Sequence, residues 1–281
     1  MKIQKTRNKT NPIKILIETI GTIQNKPGVY APFIAFALLE FIALILIYLA
    51  PRMPFLPVLG PPIRAFWGEK FLHYPANFLL IPKLASMSRT TLAVLAGSLL
   101  SGIAVAKIYG RPVKIAFKKY LTLFLIVFLI AVMFYGAFTI VNKLLIKYFM
   151  SGHKKLLFLG PGLWMGTGLY LLNFFIALLL QSVFAYAIPG VIHRDENLFK
   201  ALIKSLVFFR KNIAITLILV GLPMLIYIPI IILNANTVFL ISRFIPESVL
   251  YVSILSLIFS SLIIDPLITV STALLYIRKN E

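Results

Sequence analysis

The chain has 281 residues, of which 60% are hydrophobic and only 13% are charged. Soluble domains carry roughly 25% charged residues, so this composition excludes a soluble globular protein. The formal net charge of +20 requires an anionic partner. Because the basic residues are dispersed around apolar runs, anionic membrane lipids fit this charge better than nucleic acid does. The absence of cysteine excludes disulfides, thiolate metal sites and thiol nucleophiles.

A short amphipathic helix pattern occurs three times, each time before a long apolar run. Each copy has apolar residues at positions i, i+3, i+4 and i+7, with a lysine after the first. The three copies are Ile13/Leu16/Ile17/Ile20, Val113/Ala116/Phe117/Tyr120 and Phe199/Leu202/Ile203/Leu206. Such a stripe with a basic opposite face suits a helix that lies on an anionic membrane surface. The lysines that we expect to contact lipid head groups are Lys14, Lys114, Lys118, Lys200 and Lys204.

Six apolar runs are long enough to cross the ~30 Å hydrocarbon layer as helices. They cover residues 29–50, 90–108, 121–146, 163–188, 213–233 and 249–276. Their continuous apolar character excludes the alternating strands of a membrane barrel. We therefore predict an all-α, polytopic integral membrane protein with six transmembrane helices in a single domain over 1–281. Its three units, each an amphipathic helix followed by two spans, would cover 11–109, 110–195 and 196–281. A long basic stretch precedes the first span, so we expect that span to be retained rather than cleaved as a signal peptide.

The distribution of lysine and arginine predicts the orientation. The two termini and the second-to-third and fourth-to-fifth connections together hold eighteen basic residues, whereas the other side holds ten. Cytoplasmic loops carry the excess of positive charge. Both termini and all three amphipathic helices are therefore predicted on the cytoplasmic side of a multi-pass protein in the cytoplasmic membrane.

A proline-rich outer segment, residues 51–88, connects the first two spans. Its seven prolines prevent a regular further span, and its many aromatic side chains prefer the boundary of lipid and water. We expect a short interfacial helix near 63–73, with the remainder capping the outer ends of the spans. The segment is either a lid on a cavity or an interfacial packing element, and the second role is the commoner one.

Small residues form two ridges along the second span. These ridges, with a spacing of four residues, consist of Ala93/Gly97/Ser101 and Ser98/Gly102/Ala106. Small side chains let helices approach closely, so this span is predicted to be central in the bundle.

Two carboxylates lie deep in the predicted spans, Glu40 in the first and Asp265 in the last. A charged carboxylate in hydrocarbon is costly, so such residues face a bundle interior, a wet cavity or a partner. Pro266 cannot donate a hydrogen bond to the carbonyl of Leu262, so a kink and a free acceptor are expected there. Asp265, Pro266 and Glu40 form the candidate polar site, with either a functional or a packing role.

Motifs of enzymes are missing from the sequence. The densest titratable cluster, His193-Arg194-Asp195-Glu196, precedes the third amphipathic helix, where its acids would complement the helix N-terminus. The sequence has no metal-ligand spacing, no P-loop and no nucleophile elbow. We therefore expect no catalytic residues, no cofactor and no metal. Pro223 and Pro229 either break the fifth span into half-helices, as in transporters, or cause kinks, and we expect kinks.

The residues from Phe184 to Asn197, continuing through Leu198–Ser205 and Phe209–Asn212, resemble a segment of uncharacterised six-span bacterial and archaeal membrane proteins. That group includes the membrane domain that accompanies some glycerophosphodiester phosphodiesterases. The ending from Pro266 to Arg278 is similar to the last helix of the same group. The resemblance implies a six-helix membrane fold in a prokaryote. It implies no hydrolase activity, because the soluble phosphodiesterase domain is lacking.

Two hypotheses follow for the function. The first is a non-enzymatic membrane module that binds anionic lipids or a partner membrane protein, and it rests on the basic amphipathic helices. The alternative is a transporter or exporter permease in which Asp265, Pro266 and the proline-rich outer segment line a path.

Overall fold

The computed structural model describes residues 11–111, 116–150 and 168–280, which form helices and no strand. Within these ranges, five helical stretches are long and apolar enough to cross a membrane. A sixth is added if two helices that meet at 99° count as one span. The prediction of an all-α chain with several membrane-spanning helices is therefore confirmed for the described residues.

Fourteen α-helices form the described part of the chain. They are α1 (Pro12–Asn25), α2 (Pro27–Leu49), α3 (Leu56–Trp67), α4 (Ile81–Leu92), α5 (Ser98–Ile108), α6 (Phe117–Met150), α7 (Leu169–Phe184), α8 (Ala187–Arg194), α9 (Leu198–Lys211), α10 (Ile213–Leu225), α11 (Ile228–Ala235), α12 (Thr237–Arg243), α13 (Ser248–Leu257) and α14 (Asp265–Asn280). Two π-helical segments, Ala93–Gly97 and Ile258–Ile264, join α4 to α5 and α13 to α14. Two 3₁₀ helices, Glu69–Leu72 and Ala76–Leu80, follow α3.

Helix α5 lies at the centre of the bundle. It contacts α2, α6, α8 and α14, and its buried Val105 and Ala106 belong to the largest core cluster. In the ridge Ser98/Gly102/Ala106 all three residues are buried, as expected of a close helix contact. The other ridge differs, because Ala93, Gly97 and Ser101 line a cavity.

The first and last helices meet at one end of the bundle. Ile15 of α1 is fully buried in a cluster with Leu275 and Tyr276 of α14. At the same contact, the Nη2 atom of Arg278 lies 2.5 Å from the Oε2 atom of Glu18. Helix α1 and the C-terminal end of α14 are therefore on the same side, whichever side of the membrane that is.

The proline-rich segment differs from its prediction. The expected helix near 63–73 is wrong in its bounds, because α3 starts seven residues earlier with Pro57 in its first turn and ends before Gly68. Gly68 has a φ of 98°, which a residue with a side chain rarely adopts. Residues 81–88 are not part of a cap either, since Pro82 lies in the first turn of α4 and the helix continues into the second span. Proline is tolerated in the first turn, where no helical N–H bond is lost.

The fifth predicted span, 213–233, is divided between α10 and α11. Helix α10 ends at Leu225 and α11 begins at Ile228, with Pro223 and Pro229 on either side of the break. The two prolines thus flank a break between two helices, where kinks in one continuous helix were expected. Before this span, α9 meets α10 at 99°.

Candidate intramembrane site

The two membrane carboxylates, Glu40 of α2 and Asp265 of α14, are joined by Arg89 of α4. The Nη2 atom of Arg89 donates a hydrogen bond to the Oδ2 atom of Asp265 at 3.0 Å. Its Nε atom lies 3.3 Å from the Oε1 atom of Glu40. The side chain of Glu40 is only 5% exposed, so this contact supplies the opposite charge that a buried carboxylate requires.

Arg89 is the residue that sequence reasoning placed incorrectly. It directly precedes residue 90, the predicted start of the second span, and is one of the ten basic residues counted on the outer side. The structure instead extends the helix back to Ile81, so Arg89 lies in α4 beside the two acids. The available signal was the cost of two unpaired acids in the membrane, which requires a basic partner near a span.

The charges of the three groups do not balance when both acids are ionised. Arginine remains protonated in proteins, so one guanidinium neutralises only one of the two carboxylates. An excess negative charge in a medium of low dielectric constant has to be protonated or matched by another cation. Glu40 and Asp265 together therefore provide one position for a proton or a cationic group.

The π-helical segment Ile258–Ile264 supplies further polar contacts to α2. The hydroxyl of Ser261 donates a hydrogen bond to the Oε2 atom of Glu40. One residue later, the carbonyl of Leu262 accepts a 2.7 Å hydrogen bond from the hydroxyl of Tyr30. This carbonyl lies four residues before Pro266, whose ring nitrogen cannot donate to it, and Tyr30 supplies a donor from another span. The π-helical segment, a feature frequent at functional sites, ends at Ile264, directly before Asp265.

A cavity of about 210 Å³ lies beside Asp265. Its wall is mostly apolar, and its polar residues are Asp265, Ser101, Gln181, Thr269 and Thr272. The Asp265 side chain keeps 28% of its surface accessible. Among the described residues, none of 51–88 lines this cavity, so the proline-rich segment is not its lid.

The predicted lipid-contacting lysines are not equivalent. Lys14, Lys118 and Lys200 are exposed. The Nζ atom of Lys204 instead lies 2.5 Å from the Oε1 atom of the buried Glu196, so Lys204 is paired within the protein. Lys114 lies outside the described residues, together with Val113 of the second amphipathic copy.

The apolar stripes of α1 and α9 point away from the protein at corresponding positions. In α1, Ile17 is 64% exposed, and in α9 its counterpart Ile203 is 61% exposed. The same holds for Ile13 and Ile20 in α1 and for Phe199 and Leu206 in α9. Ile15 and Thr19, like Ala201 and Ser205, are buried instead. The remaining part of the second copy, from Phe117, is the first turn of the long helix α6.

The cluster 193–196 forms ion pairs between helices. Asp195 ends α8 in a left-handed conformation, accepts a hydrogen bond from Lys119 and lies near Arg111. The pKa of Asp195 is lowered mainly by that hydrogen bond from Lys119. Asp195 and Glu196, which we expect to complement the N-terminus of α9, also form salt bridges with Lys119 and Lys204. Within the described ranges, no group of three potential metal ligands occurs.

Comparison with protein-family models, with curated proteins and with solved structures gives no significant match. The geometry of the site and of the two exposed helices is therefore the basis for assigning a function.

Proposed function

We propose that this chain is a non-enzymatic protein of a prokaryotic cytoplasmic membrane that binds anionic lipids through α1 and α9. The 99° angle between α9 and α10 carries the proposal. If α10 crosses the membrane, α9 lies close to the membrane plane, with its exposed stripe in the acyl region and Lys200 at the head groups. The exposed stripe of α1 and Lys14 correspond to it.

We also propose that the chain consists of three helical units and has both termini in the cytoplasm. The contact of α1 with α14 supports a shared side for the two ends of the chain. Placing Arg89 in the bundle also removes one basic residue from the outer side, which sharpens the positive-inside bias. Membership in the six-span group that includes phosphodiesterase-associated domains stays a prediction, as does a protein partner.

Lipid retention in native mass spectrometry tests the role of the surface helices. The double variant Lys14→Glu with Lys200→Glu should retain phosphatidylglycerol at least fivefold less than the wild type, since each basic group contributes about 1 kcal/mol. The matched control is Lys143→Glu with Lys147→Glu, two exposed positions near the C-terminal end of α6. Equal retention by the wild type and the first variant, or an equal loss in the control, contradicts the proposal.

Cysteine labelling tests the orientation, because the natural chain has no cysteine. Gln24→Cys in α1 and Met53→Cys in the outer segment are both at exposed positions. A maleimide that cannot cross the membrane should label Met53→Cys in intact cells, and Gln24→Cys only after permeabilisation. The reverse pattern would show that the termini are outside.

A second candidate function is solute transport, and the cavity beside Asp265 favours it. An accessible carboxylate within a bundle is typical of substrate and ion pathways. In proteoliposomes, Asp265→Asn should abolish the flux of any solute that the wild type carries, whereas Glu69→Gln, in the exposed outer segment, should not. Flux that is unchanged by Asp265→Asn refutes the role of this residue.

A further inference from the structure

The cavity beside Asp265 has the size and the wall of a site for a small aromatic molecule. Its volume of about 210 Å³ exceeds the roughly 150 Å³ that suffices to hold benzene in an apolar protein cavity. Three phenylalanines, Phe33, Phe36 and Phe184, contribute to the wall. One aromatic ring with a short substituent therefore matches the available space.

The polar edge of the cavity determines the charge of this molecule. Asp265 lines the cavity, whereas Arg89 does not contribute to its wall. A ligand thus meets the carboxylate, while the guanidinium contacts Asp265 at the Oδ2 atom. Since Glu40 contacts the same guanidinium, the three groups carry one negative charge in excess when both acids are ionised.

We propose that this cavity binds a small monovalent organic cation that carries an aromatic ring, in place of a proton on the carboxylate pair. The inference rests on the second candidate function, in which the cavity is a ligand site. The cationic group faces Asp265 and the hydroxyl of Thr269, and the ring lies among the phenylalanines. The carboxylate supplies the opposite charge for the cationic group, and the phenylalanine rings can pack against the aromatic ring of the ligand.

Three probes of similar shape test whether binding depends on the charge of the ligand or only on its size. The purified protein in lipid nanodiscs is titrated with benzyltrimethylammonium, with its neutral analogue 2,2-dimethylpropylbenzene and with phenylacetate. Benzyltrimethylammonium is expected to bind at least tenfold more tightly than the neutral analogue, and phenylacetate is expected not to bind. Lowering the pH should weaken only the binding of the cation, because a proton then neutralises the excess charge.

Two variants remove the excess charge by different routes. Asp265→Asn removes the carboxylate in the wall, and Glu40→Gln removes the acid that shares Arg89 while the amide oxygen can still accept from Ser261. Each should raise the Kd for benzyltrimethylammonium at least tenfold and leave that for the neutral analogue unchanged. If Asp265→Asn does not fold, Glu40→Gln decides. The control Glu69→Gln, an exposed acid outside the cluster, should change neither value.

The outcomes distinguish failure of the cationic ligand from failure of the ligand site as a whole. Equal binding of the cation and the neutral analogue overturns the cationic ligand but leaves a ligand cavity in place. Cation binding that both charge variants leave unchanged also overturns the present inference. If no probe binds to the wild type, and solute flux is also absent, the cavity is not a ligand site and the second candidate function fails with it.

Discussion

The hydroxyl of Tyr30 in α2 donates a 2.7 Å hydrogen bond to the carbonyl of Leu262, four residues before Pro266. The nitrogen of Pro266 cannot donate to this carbonyl, and an aromatic residue of another span does. Tyr30→Phe should lower the free energy of unfolding by about 1–3 kcal/mol, because the carbonyl is left without a donor. Unfolding in mixed micelles by a denaturing detergent measures this. The control Tyr251→Phe changes an exposed tyrosine and should have little effect.

A double-mutant cycle tests whether Pro266 is the reason for the Tyr30 contact. Pro266→Ala restores an N–H that can donate to Leu262 within the helix. In that background Tyr30→Phe should cost less than in the natural chain, by about 1 kcal/mol. Equal costs in the two backgrounds would mean that the two residues act independently.

Arg89 should be the most sensitive residue of the carboxylate cluster. Arg89→Met keeps most of the side-chain volume but leaves Glu40 and Asp265 without a cation, and breaking a buried pair costs about 3–5 kcal/mol. Arg64→Met, which breaks the exposed pair with Glu69, should cost about 0–1 kcal/mol. Adding Glu40→Gln and Asp265→Asn to Arg89→Met should recover most of the lost stability. A triple variant less stable than Arg89→Met would disprove the charge argument.

The positions of these charged residues show which parts of the site the sequence could predict and which it could not. Hydropathy alone identified the apolar spans and the two acids inside them, because both depend on local composition. Arg89 was missed because the start of a helix in an apolar, proline-containing segment depends on which prolines fall in a first turn. Tyr30 was missed because its partner lies 232 residues away, and a tertiary contact of that separation leaves no local pattern. Lys14, Lys118 and Lys200 are exposed as predicted, but the pairing of Lys204 with Glu196 again depends on packing.

Ser205 in α9 should stabilise the break between α7 and α8. Its hydroxyl donates to the carbonyl of Val183 at 2.8 Å and accepts from the backbone N–H of Tyr186 at 3.2 Å. Ser205→Ala leaves both backbone groups unsatisfied and should cost about 1–3 kcal/mol. Ser242→Ala is the matched control, because that exposed hydroxyl bonds only within its own helix. Detergent-induced unfolding compares the two, and equal losses would refute a special role for Ser205.

Asp195 should give a small stability difference that depends on pH. The hydrogen bond from Lys119 lowers the pKa of Asp195 in the folded state, so its stabilisation is present above the ordinary pKa of about 3.9 and disappears as the pH falls through the lower folded value. Because Asp195 is exposed, the contribution is about 0–1 kcal/mol. Asparagine tolerates the left-handed backbone at this position. The difference between wild type and Asp195→Asn, measured by unfolding, should therefore shrink between pH 7 and pH 3, and a difference that grows would contradict this.

Because the chain is synthesised from its N-terminus, the three charged groups joined through Arg89 become available in a fixed order. Arg89 and Asp265 are 176 residues apart, and at roughly 5–20 residues per second a ribosome needs about 9–35 s to synthesise that length. During this interval Arg89 and Glu40 are already available to each other, whereas Asp265 has not been synthesised. If Glu40 and Arg89 pair as their spans insert, their charges are balanced in the lipid until the last span brings in Asp265.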